Sequence, residues 1–278
     1  KKFKIVYTPI FKSVHSDLFI ELKIKDSKNK VVFDSKNELT AIEVGKDLSY
    51  EVVYIDDPFI INSYNLSQER GQLPLYGDIS EKVSNHRSSL ISQYKNTENL
   101  TLVDKANLKE KLNVIYKKIN DTLGSDMSLF ETDKDSISGS KRTRGLSLDS
   151  LSSGMKTFYL IKSLIDNGTI VQNGTLILDE PEVHLHPDWQ VTLAEIIVLL
   201  QKEMGLHILI NTHSPYFLRA IEVFSGKYYT EDTVKYYLSY NEGNNAKMKD
   251  VTFNISEIYR VLSDPLQRIE NEAYNDGD

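Results

Sequence analysis

Residues Thr175 to Pro187 read TLILDEPEVHLHP. Leu176, Ile177 and Leu178 form a short apolar run with β propensity that passes directly into two carboxylates, Asp179 and Glu180, before Pro181 ends any ladder. The pattern predicts a buried strand ending in acid. Open α/β sheets bind ligands at the carboxyl ends of their strands, and an acidic pair there suits magnesium and an attacking water. Asp179 would hold the metal through its water shell and Glu180 would act as general base. A strand followed by an ordinary acidic turn is the plain alternative, so the neighbouring stretches decide.

Upstream lies Leu151-Ser152-Ser153-Gly154-Met155-Lys156, and downstream a second apolar strand, His207 to Ile210, runs into Asn211-Thr212-His213-Ser214-Pro215. In this order the three stretches resemble the signature motif, Walker B strand and switch histidine of the ABC-type ATPases. EPEVHLHP and the THSP ending resemble the soluble branch of that family: the SMC-like, RecF-like and OLD-like ATPases of DNA repair and anti-phage defence.

The resemblance implies a P-loop NTPase-like α/β fold, a mixed sheet with flanking helices, an antiparallel β-subdomain and a helical insertion. It also implies ATP and Mg2+ sandwiched between the two heads of a homodimer. Asp179 would organise the metal, Glu180 would polarise the water and His213 would sense the γ-phosphate. Ser152, Ser153 and Gly154 would reach across the dimer to the partner's nucleotide. Lys156 stands where the family often carries Gln or Arg, and His186 stands at the position of the D-loop aspartate, where subunits touch. The work done would be control of a nuclease or toxin effector.

Composition sets bounds on this. The 278 residues allow one large domain or two small ones, with 40% hydrophobic content for a core. No apolar run approaches membrane-spanning length and no secretory signal opens the chain, so the expectation is a cytoplasmic protein without a membrane partner. The absence of cysteine excludes disulfides and thiolate metal sites. A formal charge of -7 excludes a surface basic all over, although a local basic stripe could still meet nucleic acid.

Nowhere does the sequence contain G-x-x-x-x-G-K-[ST], the loop that cradles phosphates. The expectation is a chain without its amino-terminal strands, P-loop and first helix; the alternative is a degenerate head. Two competing functions stay open, a non-hydrolysing scaffold and a transporter's nucleotide-binding subunit. The single-glycine signature and EPEVHLHP argue against the transporter.

Three regions are expected. Residues 1–59 alternate as antiparallel strands, with a turn at Lys28-Asn29-Lys30, followed by a core strand at Val52 to Ile55 that closes on Asp56-Asp57-Pro58. Residues 60–147 form a helical insertion and loop. One helix is marked by Ile79, Val83, Leu90, Ile91 and Tyr94; a second by Leu108, Leu112, Ile115 and Ile119, with Asp104 as N-cap and a mostly solvated lysine face. A loop with the basic knot Lys141, Arg142 and Arg144 follows. No glutamine aligns with the family's Q-loop, Gln68 and Gln72 being nearest.

Residues 148–278 form the ATPase core. A helix enters at Ser152 and stops at Asn167-Gly168. Another opens at Pro187, carries its apolar face on Trp189, Leu193, Ile196, Leu200 and Met204, and stops at Gly205. A third is capped by Ser214-Pro215, and a short one spans Ile255 to Leu262. The pair His184 and His186 invites a zinc reading, but no further histidine cluster accompanies it. The nuclease domain that follows the ATPase in OLD-like enzymes is expected to be absent.

Overall fold

The computed structural model describes residues 18–24, 27–33, 39–43, 52–61, 86–95, 100–124, 151–243 and 245–275. The basic knot at 141–144, both candidate Q-loop glutamines, Ile79 and Val83 lie outside them. The chain divides into two units.

The first unit holds β1 (Leu18–Ile24), β2 (Ser27–Phe33) and β3 (Leu39–Glu43), an antiparallel sheet in that order. Leu18 pairs with Phe33 and Ile24 with Ser27, which puts Lys28 to Lys30 inside β2 rather than in a turn.

The second unit is built on β4 (Val52–Ile55), β5 (Thr175–Asp179) and β6 (His207–Asn211), which lie parallel in the order β4-β5-β6. Side chains alternate across the sheet. Val53, Ile55, Leu176 and Leu178 point into the core and are buried, as expected for a core strand at 52–55. The opposite face carries Tyr54, Ile177, Asp179, Leu209 and Asn211, and is open enough to leave Leu209 56% exposed.

Around this sheet run α1 (His86–Lys95), α2 (Leu102–Lys111), α3 (Asn113–Leu123), α4 (Ser153–Asp166), α5 (Pro187–Met204) and α6 (Pro215–Lys227). A hairpin of β7 (Tyr237–Glu242) and β8 (Asn245–Asp250) follows, and then α7 (Ser256–Asn275). The last helix outruns the expected Leu262 because Ile258, Leu262, Leu266 and Ile269 keep helical spacing past Pro265. No helix among the described residues is long and apolar enough to cross a membrane.

The expected helix of residues 104–119 is two helices meeting at the buried Leu112. Its N-cap is Thr101, not Asp104. The Thr101 hydroxyl accepts from the Asp104 amide at 3.1 Å, and the Asp104 carboxylate accepts from the Thr101 amide at 3.1 Å, a reciprocal capping box.

Helix α5 departs from the one-face expectation in an informative way. From Leu193 to Leu200 every residue is buried, so two turns are enclosed on all sides. That is the environment of a central core helix. It carries Glu195, only 7% exposed, into the interior. Lys118 on α3 lies 2.6 Å from the carboxylate, Lys227 at the end of α6 donates at 3.0 Å and the Tyr228 hydroxyl at 2.5 Å. Lys118 is therefore an exception to the solvated lysine face. Burial pushes the Glu195 carboxyl up, but the hydrogen bonds from Lys118, Tyr228 and Lys227 outweigh it and hold the pKa below the ordinary value.

A folded pKa below the unfolded one gives stability that is complete above about pH 4.3 and lost as the pH falls through the folded value. Glu195→Ala should accordingly cost about 2–4 kcal/mol at neutral pH. Urea midpoints of the two proteins should converge on acidification below that range; a gap that stays constant with pH would exclude the ionised carboxylate as its source.

Candidate functional site

Parallel pairing places Asp179 opposite Asn211. The Glu180 amide donates to the Asn211 carbonyl at 2.9 Å, which extends the ladder by one residue. Glu180 then leaves the sheet with φ +47°, a left-handed conformation that costs a non-glycine residue about 1 kcal/mol. Its side chain remains about half exposed, and the Nε2 of His213, itself 80% exposed, lies 3.3 Å from Glu180 Oε1. The structure thus brings Asp179, Glu180 and His213 together where two parallel strands end.

Asp179 is held on both oxygens. Asn211 Nδ2 donates to Oδ1 at 3.1 Å, and the Tyr54 hydroxyl donates to Oδ2 at 2.9 Å. Tyr54 lies on β4, on the same sheet face, so its ring reaches along the face to the acid. Burial, the hydrogen bond to Asp179 and the charges of Asp179 and Asp56 push its phenol up to about 12. At neutral pH it is a neutral donor.

The acidic pair that closes β4 is an ion cluster rather than a bare turn. Asp56 Oδ2 lies 2.7 Å from His86 Nε2 and accepts from Arg87 Nε at 3.3 Å, while Arg87 Nη2 lies 3.6 Å from Asp57 Oδ2. Burial pushes the Asp56 carboxyl up, but His86 and Arg87 more than compensate, and its pKa is lowered. The cluster ties β4 to α1.

Ser152 is the N-cap of α4, its hydroxyl accepting from the Met155 amide at a long 3.4 Å. Ser152 is exposed and Ser153 half-buried at that helix end. Gly154 is buried, and a Cβ there would stand 2.9 Å from Leu185 Cδ2 and 3.0 Å from the Trp189 ring. Trp189 is in turn edge-on to the buried Phe158. Lys156 is 3% exposed, with its ammonium 5.2 Å from the centre of the Phe59 ring. His184, at φ +68°, packs edge-on against Phe59 as well. His186 caps α5, Nδ1 accepting from the Asp188 amide at 3.3 Å.

Among the described residues, no group of three or more His, Asp or Glu could hold a metal. Magnesium does not require one, because it keeps several waters and binds through one or two carboxylates plus substrate phosphates. Asp179 and the adjacent Glu180 match that donor set.

Two residues of this site escaped sequence reasoning. Tyr54 carried no signal, since its partner lies 125 positions away. Glu182 left a faint one, the unexplained second acid of EPE. It is 6% exposed, and its Oε1 accepts from the Thr212 hydroxyl at 2.5 Å and from the amides of His213 and Ser214 at 3.1 and 3.2 Å.

Residues 60–219 match the family described as "AAA domain, putative AbiEii toxin, Type IV TA system". The chain belongs to this AAA family. The match takes in α4, β5 and β6 and ends within α6, so Asp179, Glu180 and His213 all belong to the AAA domain. Membership brings the P-loop NTPase-like α/β fold, with which the parallel sheet and flanking helices agree. Septu protein PtuA of Bacillus thuringiensis is 36% identical over 86 residues, 26% of this chain and 21% of that protein. The similarity spans about a fifth of the relative's length.

The packing of Gly154 in the AAA domain generates a test. Gly154→Ala gains up to about 1 kcal/mol of helix propensity but forces a methyl into an enclosed contact. The net expectation is a loss of about 1–2 kcal/mol, read as a lower urea midpoint at unchanged slope. An unchanged or higher midpoint would mean that Leu185 and Trp189 make room freely.

Proposed function

We propose that the complete protein is a magnesium-dependent ATPase of the ABC-like soluble branch, working as a pair of heads, and that ATP turnover controls an effector in anti-phage defence or DNA repair. The observation that carries this reading is the meeting of Asp179, Glu180 and His213 at the carboxyl ends of β5 and β6, with Glu180 and His213 3.3 Å apart. The AAA membership supports the nucleotide, and the family's description, which names a toxin of a toxin–antitoxin system, favours the defence role.

In this reading Glu180, half-exposed just beyond the strand end, takes the proton of the attacking water. His213 orients that carboxylate and reports on the terminal phosphate. Bound magnesium, held by Asp179 through water, would neutralise charge on the phosphates. Tyr54 and Asn211 fix the plane of the Asp179 carboxylate. Ser152 and Ser153, at the open amino end of α4, present hydroxyls and helix amides suited to a phosphate held by the other head, with His186 near that contact.

A non-hydrolysing scaffold is the second reading. Gly154 and Lys156 support it, because packing within one chain accounts for both without a nucleotide.

One experiment separates the two: ATP turnover by the complete protein with magnesium, beside Glu180→Gln. The variant should still bind ATP, accumulate as a dimer and lose turnover by about 10²–10⁴-fold. Equal turnover in both proteins would remove Glu180 from the role, and no ATP binding by either would favour the scaffold.

A further inference from the structure

The turn after β5 contains a buried acid that the proposed hydrolysis does not use. Glu182 lies two residues beyond Glu180, and among the described residues its side chain bonds three groups of the segment after β6, the Thr212 hydroxyl and the His213 and Ser214 amides, all on Oε1. Its Oε2 is also buried and has no hydrogen-bond partner among the described residues. A carboxylate withdrawn from water with one oxygen unpaired is an expensive way to fill space, and is retained where it fixes geometry.

The contacts continue outward. The Thr212 hydroxyl also accepts from the Ser214 amide at 3.1 Å. The Ser214 hydroxyl donates to Gln190 Oε1 at 2.5 Å and caps α6 by accepting from Phe217, and Gln190 Nε2 donates to the Leu185 carbonyl at 3.1 Å. Glu182 therefore stands at the centre of a closed set of bonds joining the turn that carries Glu180 to the segment that carries His213. Two left-handed residues of this turn, Glu180 and His184, flank it on either side, so the strained turn is held in place where the carboxylate grips.

We propose that Glu182 is a positioning residue: by binding the His213 backbone, it sets the imidazole against Glu180, and its loss uncouples the two groups without removing either. The consequence for hydrolysis rests on the ATPase reading above; the anchoring itself does not. A misplacement of about 1 Å at a reacting centre can cost about 10²-fold in rate.

The test uses the complete protein with Glu182→Ala, Glu182→Gln and Thr212→Val. Magnesium-dependent ATP turnover, affinity for a fluorescent ATP analogue, the urea unfolding midpoint, and hydrogen exchange at the His213 and Ser214 amides would be measured on each. Glu182→Ala should lower kcat by about 10–100-fold, change nucleotide affinity by less than about 3-fold, and speed exchange at both amides. Glu182→Gln keeps a carbonyl oxygen as acceptor and should recover most of the rate. Thr212→Val removes one donor to Glu182, together with the hydroxyl that accepts from the Ser214 amide, but leaves the His213 amide bond to Glu182, and should fall between wild type and Glu182→Ala.

Unchanged turnover in Glu182→Ala, or an equal collapse of turnover, nucleotide affinity and unfolding midpoint in all three variants, would overturn the positioning role. If the wild type does not turn over ATP, exchange decides alone. Faster exchange at the His213 amide in Glu182→Ala upholds the anchor and sinks only the ATPase reading, whereas unchanged exchange there sinks the anchor.

Discussion

Parallel pairing of β5 with β6, in register from Thr175 with His207 to Asp179 with Asn211, is the constraint on which the site depends. Two strands that run the same way and end at the same level deliver their next residues to one edge. On β5 those residues are acids, on β6 an amide, a hydroxyl and an imidazole. The alternation of side chains sorts them further: Leu176 and Leu178 secure the strand in the core, while Asp179 points to the face shared with Tyr54 and Asn211. A slip of one residue would bury the acid and expose a leucine. The apolar run before the acids thus fixes the direction of the acid that follows it.

The second unit also shows what carboxylates need once they leave water. Glu195 enters the core on α5 because that helix is enclosed on all sides, and it is met by two ammonium groups and a phenol. Asp56 is met by an imidazole and a guanidinium, and Asp179 by an amide and a phenol. Glu195 ties α3 to α5 and α6, and Asp56 ties α1 to β4. Among the described residues Asp179, which faces the open side of the sheet, is bound by neutral donors, an amide and a phenol, rather than by a cation.

Much of this was legible in the sequence because it is local. Three strand ends, the stops of α4 and α5, and the Ser214-Pro215 start of α6 follow from residues within a turn of each other, and all stand where the spacing put them. Errors were local too: Thr101 outcompeted Asp104 as cap because an acid at the third helical position accepts from the cap's own amide. What the sequence concealed is nonlocal. Tyr54 finds Asp179, Glu195 finds Lys118, and Glu182 finds Thr212 only after the sheet has formed, and no periodicity encodes those meetings. The burial of Lys156 against Phe59 belongs to the same class.

Gly154 has a consequence for genetics. It fills a gap between Leu185 and Trp189 that no other residue fits without displacement, so an inactive Gly154 allele would report on folding as readily as on nucleotide. Ser152 and Ser153 sit at the open end of the same helix, and the cap that Ser152 supplies is long and weak. On the ATPase reading proposed above, alleles at those two serines would bear on phosphate recognition while disturbing the packing less than an allele at Gly154. In a screen of this domain, phenotype at the exposed end of α4 would therefore separate recognition from folding more cleanly than phenotype at the buried glycine.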